Sequence, residues 1–176
     1  MKPLYSHYED VPWENWTPVD RAVLMFIFRG DQVLLILKKR GLGAGKINAP
    51  GGRIEAGETP VEAAILETQE EILVRPTGLQ PVGEMKFQFT NGHSIHCHVF
   101  RARGYDGGEP GETNEALPMW FNTNDLPYGR MWMDDRIWMP LMLQGRSFTS
   151  RWLFDDDQML ACRIDPLDQE TASAQH

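Results

Sequence analysis

Glu67, Glu70 and Glu71 stand at i, i+3 and i+4 within the stretch 51–74, which reads GGRIEAGETPVEAAILETQEEILV. On a helix that spacing puts three carboxylates on one face. Like charges this close repel by roughly 0.2–0.5 kcal/mol per pair. No lysine or arginine stands at helical spacing from all three, and Glu58, just upstream, can lean over the same patch. Such a face is either a solvated acidic surface or a seat for a hard cation. Mg2+ favours oxygen ligands, retains several waters and is commonly shared with substrate phosphates, so the second reading points to phosphate chemistry.

The element that must position these carboxylates is a helix with a clear start. Thr59 is an N-cap, Pro60 takes the first helical position where a missing N–H costs nothing, and Glu62, three residues after the cap, completes a capping box. Val61, Ala64, Ile65, Thr68 and Ile72 recur at helical spacing and predict the face that meets a core. A glycine-rich loop, 40–52 (RGLGAGKINAPGG), leads into the helix. It is not a Walker A loop, since Arg40 stands where the first glycine is needed and Ile47 follows the lysine. Nor is it a dinucleotide fingerprint, because Gly41-Leu42-Gly43 lacks the third glycine.

A chain of 176 residues with 41% hydrophobic content can bury one substantial core. Its net charge of −8 argues against a nucleic acid polymer or an anionic membrane as partner, while a nucleotide held through metal ions is compatible with it. Cys97 and Cys162 make no disulfide framework, which points to the cytoplasm. The apolar run 22–28 is too short to span a bilayer, and the first residues lack the apolar core of a signal peptide. A monomer or weak dimer is expected.

Along the chain, residues 1–19 read as an extension that packs through its tryptophans. Segments 21–29 and 32–37 predict a hairpin turning at Gly30-Asp31; 82–89 and 93–102 predict another around Asn91-Gly92. His93, His96 and His98 invite a metal reading. His96 and His98, however, alternate with Ile95, Cys97 and Val99 on a strand and are read as its half-exposed face. A loop over 104–114, a strand over 117–121, a helix over 135–144 and two closing strands, 148–154 and 158–164, complete the pattern.

The carboxylate stretch resembles the Nudix box: a glycine, five residues, Glu, seven residues, then Arg-Glu-aliphatic-any-Glu-Glu-any-Gly-aliphatic. Gly52, Glu58, Glu67, Glu70, Glu71 and Val74 match; Leu66, Thr68 and Leu73 replace the arginine, the first aliphatic and the second glycine. The resemblance implies an α/β fold, an α/β/α sandwich with a mixed β-sheet between helices, over residues 20–165. The extension 1–19 would precede it and a disordered tail, 166–176, would follow. It further implies Mg2+, replaceable by Mn2+, held by the Gly51 carbonyl, Glu67, Glu70, Glu71 and, from outside the box, Glu115. The same carboxylates form the catalytic set, with Glu70, Glu71 or Glu115 as the base for an attacking water. The substituted Leu66 and Leu73 form an apolar strip, expected to pack beneath Trp13 and Trp16.

Segments 38–52 (KKRGLGAGKINAPGG) and 131–144 (MWMDDRIWMPLMLQ) are similar to the MutT-like branch of that family. That likeness implies hydrolysis of oxidised purine nucleoside triphosphates such as 8-oxo-dGTP to the monophosphate and pyrophosphate. Asn48, with one acceptor and two donors, is a sensible reader of a purine edge. Asp134 and Asp135, converging on one base, would not both ionise, so the pair could accept from one base atom and donate to another. The competing role for this pair is N-capping of the helix that follows. Trp132 would stack on the base, Phe87 and Phe89 would wall the pocket, and Lys38 would line it. Two rivals follow from the altered box and from the box's silence about the base. One is a non-catalytic nucleotide-binding or regulatory Nudix domain, and the other a Nudix enzyme acting on another nucleoside diphosphate-linked compound.

Overall fold

The structure, a computed structural model, describes residues 2–167. Apolar runs broken by Gly30-Asp31 fold into a hairpin of β1 (Asp20–Arg29) and β2 (Gln32–Lys38), with Gly30 at φ +61° supplying the left-handed turn. The glycine-rich loop is not wholly irregular, because it contains two short strands, β3 (Ile47–Asn48) and β4 (Gly51–Arg53). There follow α1 (Pro60–Ile72), β5 (Arg75–Thr77), β6 (Gln80–Phe89), β7 (Ser94–Ala102), β8 (Gly104–Asp106), β9 (Ala116–Asn122), α2 (Asp135–Leu143), β10 (Phe148–Asp155) and β11 (Gln158–Pro166). The predicted loop over 104–114 thus begins with β8, which pairs with β5.

The main sheet runs β11-β10-β6-β7-β1-β2-β3, with β4 also on β1 and β9 on β2. β1 and β7 are parallel, as are β6 and β10, and the remaining pairs are antiparallel. One face of this mixed sheet packs Val23, Met25 and Ile27 of β1 with Ala63, Ala64 and Ile72 of α1. The other packs Phe26, Met85, Val99 and Phe148 with Trp138, Met139 and Met142 of α2. This is the α/β/α sandwich that the sequence implied. Among the described residues no helix is long and apolar enough to cross a membrane.

The buried face of α1 is rotated from the expected one. Ala63, Ala64, Thr68, Glu71 and Ile72 are buried, whereas Val61 is exposed. The period was legible, but Val61 in the first turn faces solvent while Ala63 and Glu71 take buried positions. Thr68 tolerates burial because its hydroxyl donates to the Ala64 carbonyl at 2.7 Å.

The N-terminal segment covers a different part of the sheet from the one expected. Trp13 packs with Val11, Leu153 and Ala161, its indole N–H donating to the Tyr8 carbonyl, while Trp16 donates to Gln88 Oε1 at 2.9 Å. It covers the stretch of β10 and β11 on the α1 side of the sheet. Leu66 and Leu73 are not beneath it; they are 42% and 56% exposed. The apolar strip is therefore a surface feature. At the other end, β11 takes up Pro166, and the Leu167 N–H donates to the Ser147 carbonyl at 2.8 Å. The rest of the predicted tail, 168–176, lies outside the described residues.

Leu73 closes α1 in the left-handed region, φ +66° and ψ +20°, a conformation that costs a branched L-residue about 1–2 kcal/mol. Glycine would relieve the strain but lose chain entropy on folding. Leu73→Gly is expected to stabilise the protein by roughly 0.5–1 kcal/mol, read as a higher denaturant midpoint. A lower midpoint would show that the contact of Leu73 with Gly111 outweighs the backbone strain.

Candidate active site

The carboxylate face is built where β4 passes between β1 and α1. A Cβ on Gly51 would run into the Val23 carbonyl oxygen, and one on Gly52 into Glu67 Oε2. Only a side-chain-free backbone lets the helix carboxylates come this close. The Gly51 N–H then donates to Glu71 Oε1 at 3.0 Å. Loop 111–115 closes the opposite side. Thr113 Oγ1 donates to the Glu71 carbonyl at 2.6 Å and accepts from the Glu115 N–H at 3.2 Å, tying the loop acid to the helix.

This crowding is visible in proton affinity. Burial, followed by repulsion from Glu70, Glu115, Glu58 and Glu55, raises Glu67 to about 7. Burial also raises Glu71 to about 7, with Glu67 and Glu115 adding repulsion and the Gly51 N–H and Lys38 opposing it. The six acids thus face one another with little cationic compensation.

A cavity of about 550 Å³ runs from these carboxylates to the buried Asp134-Asp135 pair. The Trp138 indole N–H is shared between Asp134 Oδ2 at 3.0 Å and Asp135 Oδ1 at 3.1 Å. Among the described residues Asp135 Oδ2 is buried without a partner. Asp134 makes no side-chain cap bond, so the geometry does not favour the helix-capping role. Burial raises both carboxyls, and the charge of Asp134 raises Asp135 further. Asn48 Oδ1 accepts from the Ala49 N–H at 2.8 Å, which leaves its amide donors for the cavity. Trp132 packs close to Gly43, where a Cβ would approach the indole Nε1 to 2.8 Å, and lies edge-on to Phe154 at 5.8 Å between ring centroids.

Lys38, Asn48, Gly51, Glu67, Glu71, Phe87, Phe89, Glu115, Trp132, Asp134 and Asp135 all line this one cavity. Glu70 does not; it is exposed on α1, near enough to Glu67 to raise its pKa. Two contributors went unread in the sequence. Trp138, three and four residues beyond the aspartates, stood at helical spacing to donate to both. Phe154, which touches Phe87, Phe89 and Trp132, was hidden because its strand arrives from far along the chain.

A family model described as the NUDIX domain matches residues 18–142. The chain belongs to the Nudix family. It is 39% identical over 138 residues to the oxidized purine nucleoside triphosphate hydrolase of Danio rerio and 35% identical to that of Mus musculus; each match covers 78% of this chain and 88% of the relative. A solved MutT protein from Bacillus halodurans superposes with a TM-score of 0.74 at 24% identity, covering 84% of this chain and 98% of that one, which supports the fold. Against the Nudix box, Leu73 occupies the left-handed position that explains a glycine there, and Leu66 stands on the exposed side of α1.

Nudix proteins act through a divalent ion, and the donors here suit one: buried or half-buried carboxylates, mutually repelling, on one rigid helix. Because Glu67 and Glu71 bind protons more tightly folded than unfolded, they favour the folded state at low pH. That contribution is lost as pH rises from about 4.5 through about 7. A bound cation reverses the penalty. Saturating Mg2+ is expected to raise the melting temperature more at pH 8 than at pH 5. An equal rise at both would place the ion elsewhere.

Proposed function

We propose that this Nudix protein hydrolyses oxidised purine nucleoside triphosphates, such as 8-oxo-dGTP, to the monophosphate and pyrophosphate, in the cytoplasm and as a monomer or weak dimer. The observation that carries the reading is the unpartnered Oδ2 of buried Asp135, paired with Asp134 in the same cavity as Glu67, Glu71 and Glu115. Two elevated carboxyls side by side can accept from one base atom while donating to another. Oxidation at C8 turns the purine N7 acceptor into a donor and adds a carbonyl, the kind of change such a pair can read. The names of the two relatives support the same substrate class.

In this reading the base stacks on Trp132 between Phe87 and Phe89, Asn48 donates to its edge, and the phosphates lie toward α1. Glu67, Glu70, Glu71, Glu115 and the Gly51 carbonyl would hold Mg2+, with Mn2+ as substitute. Bound there, the ion would offset phosphate charge and make phosphorus more open to attack. One of Glu70, Glu71 and Glu115 takes the proton of the attacking water. Lys38, close enough to lower Glu71, adds positive charge beside the phosphates. Gly51 and Thr113 keep Glu71 and the Glu115 loop in register throughout.

Charge removal tests the metal end. Glu71→Gln keeps the acceptor for Gly51 and deletes a ligand charge, so most activity should be lost. Glu62→Gln, in the capping box on another part of α1, should leave turnover near the parent level. Equal losses would rule out the proposed carboxylate set. At the base end, Asp135→Asn should cost about 1–3 kcal/mol of transition-state binding, a roughly 5- to 150-fold fall in kcat/KM for 8-oxo-dGTP, with little change in melting temperature. A matching loss for every nucleotide, together with a lower melting temperature, would make the pair structural.

A further inference from the structure

Away from the cleft, on the face of β7 opposite Cys97, His96 and His98 stand two residues apart with ring centroids 4.6 Å apart. Strand pairing brings Glu84 of β6 directly across from His98. Its carboxylate reaches both rings, Oε1 3.3 Å from His98 Nδ1 and Oε2 3.7 Å from His96 Nε2. One ligand atom from each of the three residues falls within 4.8 Å of the other two. Among the described residues His96 Nε2, the atom that faces Glu84, is buried without a hydrogen-bond partner, an expensive arrangement for a polar atom.

We propose that Glu84, His96 and His98 form a second metal site, distinct from the carboxylate face of α1, that takes a transition ion of the Zn2+ class. The separations fit: two ligands at about 2.0–2.1 Å from one Zn2+ in tetrahedral geometry are about 3.4 Å apart. His98 Nδ1 is 3.3 Å from one Glu84 oxygen and His96 Nε2 is 3.7 Å from the other, so a small turn of the carboxylate brings a single oxygen within ligand spacing of both nitrogens. The widest edge closes by rotating a ring about its soft terminal torsion. Two nitrogens and one carboxylate leave a fourth position for water, and this donor set favours Zn2+, Co2+ or Cu2+ over Mg2+ or Ca2+.

The surroundings sharpen that preference. Arg21 and Lys86, the cross-strand neighbours of His96, add positive charge. The Lys86 ammonium stands over the Trp16 ring, 5.6 Å from its centroid. Their charge repels any dication, so an ion held by charge alone is disfavoured and one with strong bonds to imidazole nitrogen has the compensation it needs. The site lies between the sheet surface covered by α1 and that covered by the N-terminal segment, with Trp16 edge-on to His96 at 6.3 Å. A bound ion would therefore tie β6 and β7 together beneath Trp16.

The test is titration of the tag-free full chain with ZnCl2 in saturating Mg2+, followed by calorimetry and melting temperature, and with CoCl2, followed by the visible absorption of tetrahedral Co2+. One equivalent of Zn2+ should bind, raise the melting temperature and be retained by Glu71→Gln. Glu84→Gln, isosteric at a half-exposed position, should weaken Zn2+ at least tenfold while leaving Mg2+-dependent turnover unchanged. His96→Gln should abolish the tetrahedral Co2+ signal. Absence of stoichiometric binding would overturn the proposal. So would loss of binding in Glu71→Gln, or unchanged binding in both Glu84→Gln and His96→Gln.

Discussion

The site depends on how closely β4 passes α1. Gly51 and Gly52 run between the β1 backbone and the helix with no room for a Cβ on either, since the Val23 carbonyl fills one position and the Glu67 carboxylate the other. Any side chain there would move the helix away from the sheet, and Glu67 and Glu71 with it. The same approach gives the Gly51 N–H its bond to Glu71 and concentrates negative charge at one end of the cleft. The cost is burial of the carboxylates compounded by their mutual repulsion, expressed as two glutamates raised to about 7, and it is the kind of cost that a divalent ion offsets.

At the other end of the cleft burial is again the main cost. It raises both Asp134 and Asp135, the charge of Asp134 adds to Asp135, and the donor the pair shares is the Trp138 indole. Trp138 is itself fully buried against Phe26 and Phe148, so the core of the sandwich fixes the orientation of both carboxyls. A rigid apolar layer thereby sets the polar floor of the cavity. One end is arranged for cation-assisted phosphate chemistry and the other for reading a polar edge, and about 550 Å³ of space joins them.

What the sequence disclosed was local. The capping box at Thr59, the carboxylate spacing on α1 and the Gly30 turn each depend on residues a few positions apart, and all three are present. What it withheld depended on contacts between distant segments. Parallel pairing of β10 with β6 brings Phe154 beside Phe87 and Phe89, and no local period announces it. The Trp13 segment was expected over Leu66 and Leu73 because all are apolar. It lies instead on Leu153 and Ala161, where the sheet extends beyond α1 and leaves apolar surface uncovered. Leu73 itself was read as a packing residue, when its left-handed backbone is what distinguishes it. His96 and His98 lie half-exposed on the strand face, as read, and only the register of β6 on β7 sets Glu84 opposite His98.

The most direct test of the central claim is product analysis of the parent protein with 8-oxo-dGTP and dGTP, each in the presence and absence of Mg2+. The account predicts the nucleoside monophosphate and pyrophosphate in equal amounts, only with the ion present, and a higher kcat/KM for the oxidised nucleotide. Orthophosphate with the diphosphate, equal turnover of the two nucleotides, or no turnover at any Mg2+ concentration would contradict it.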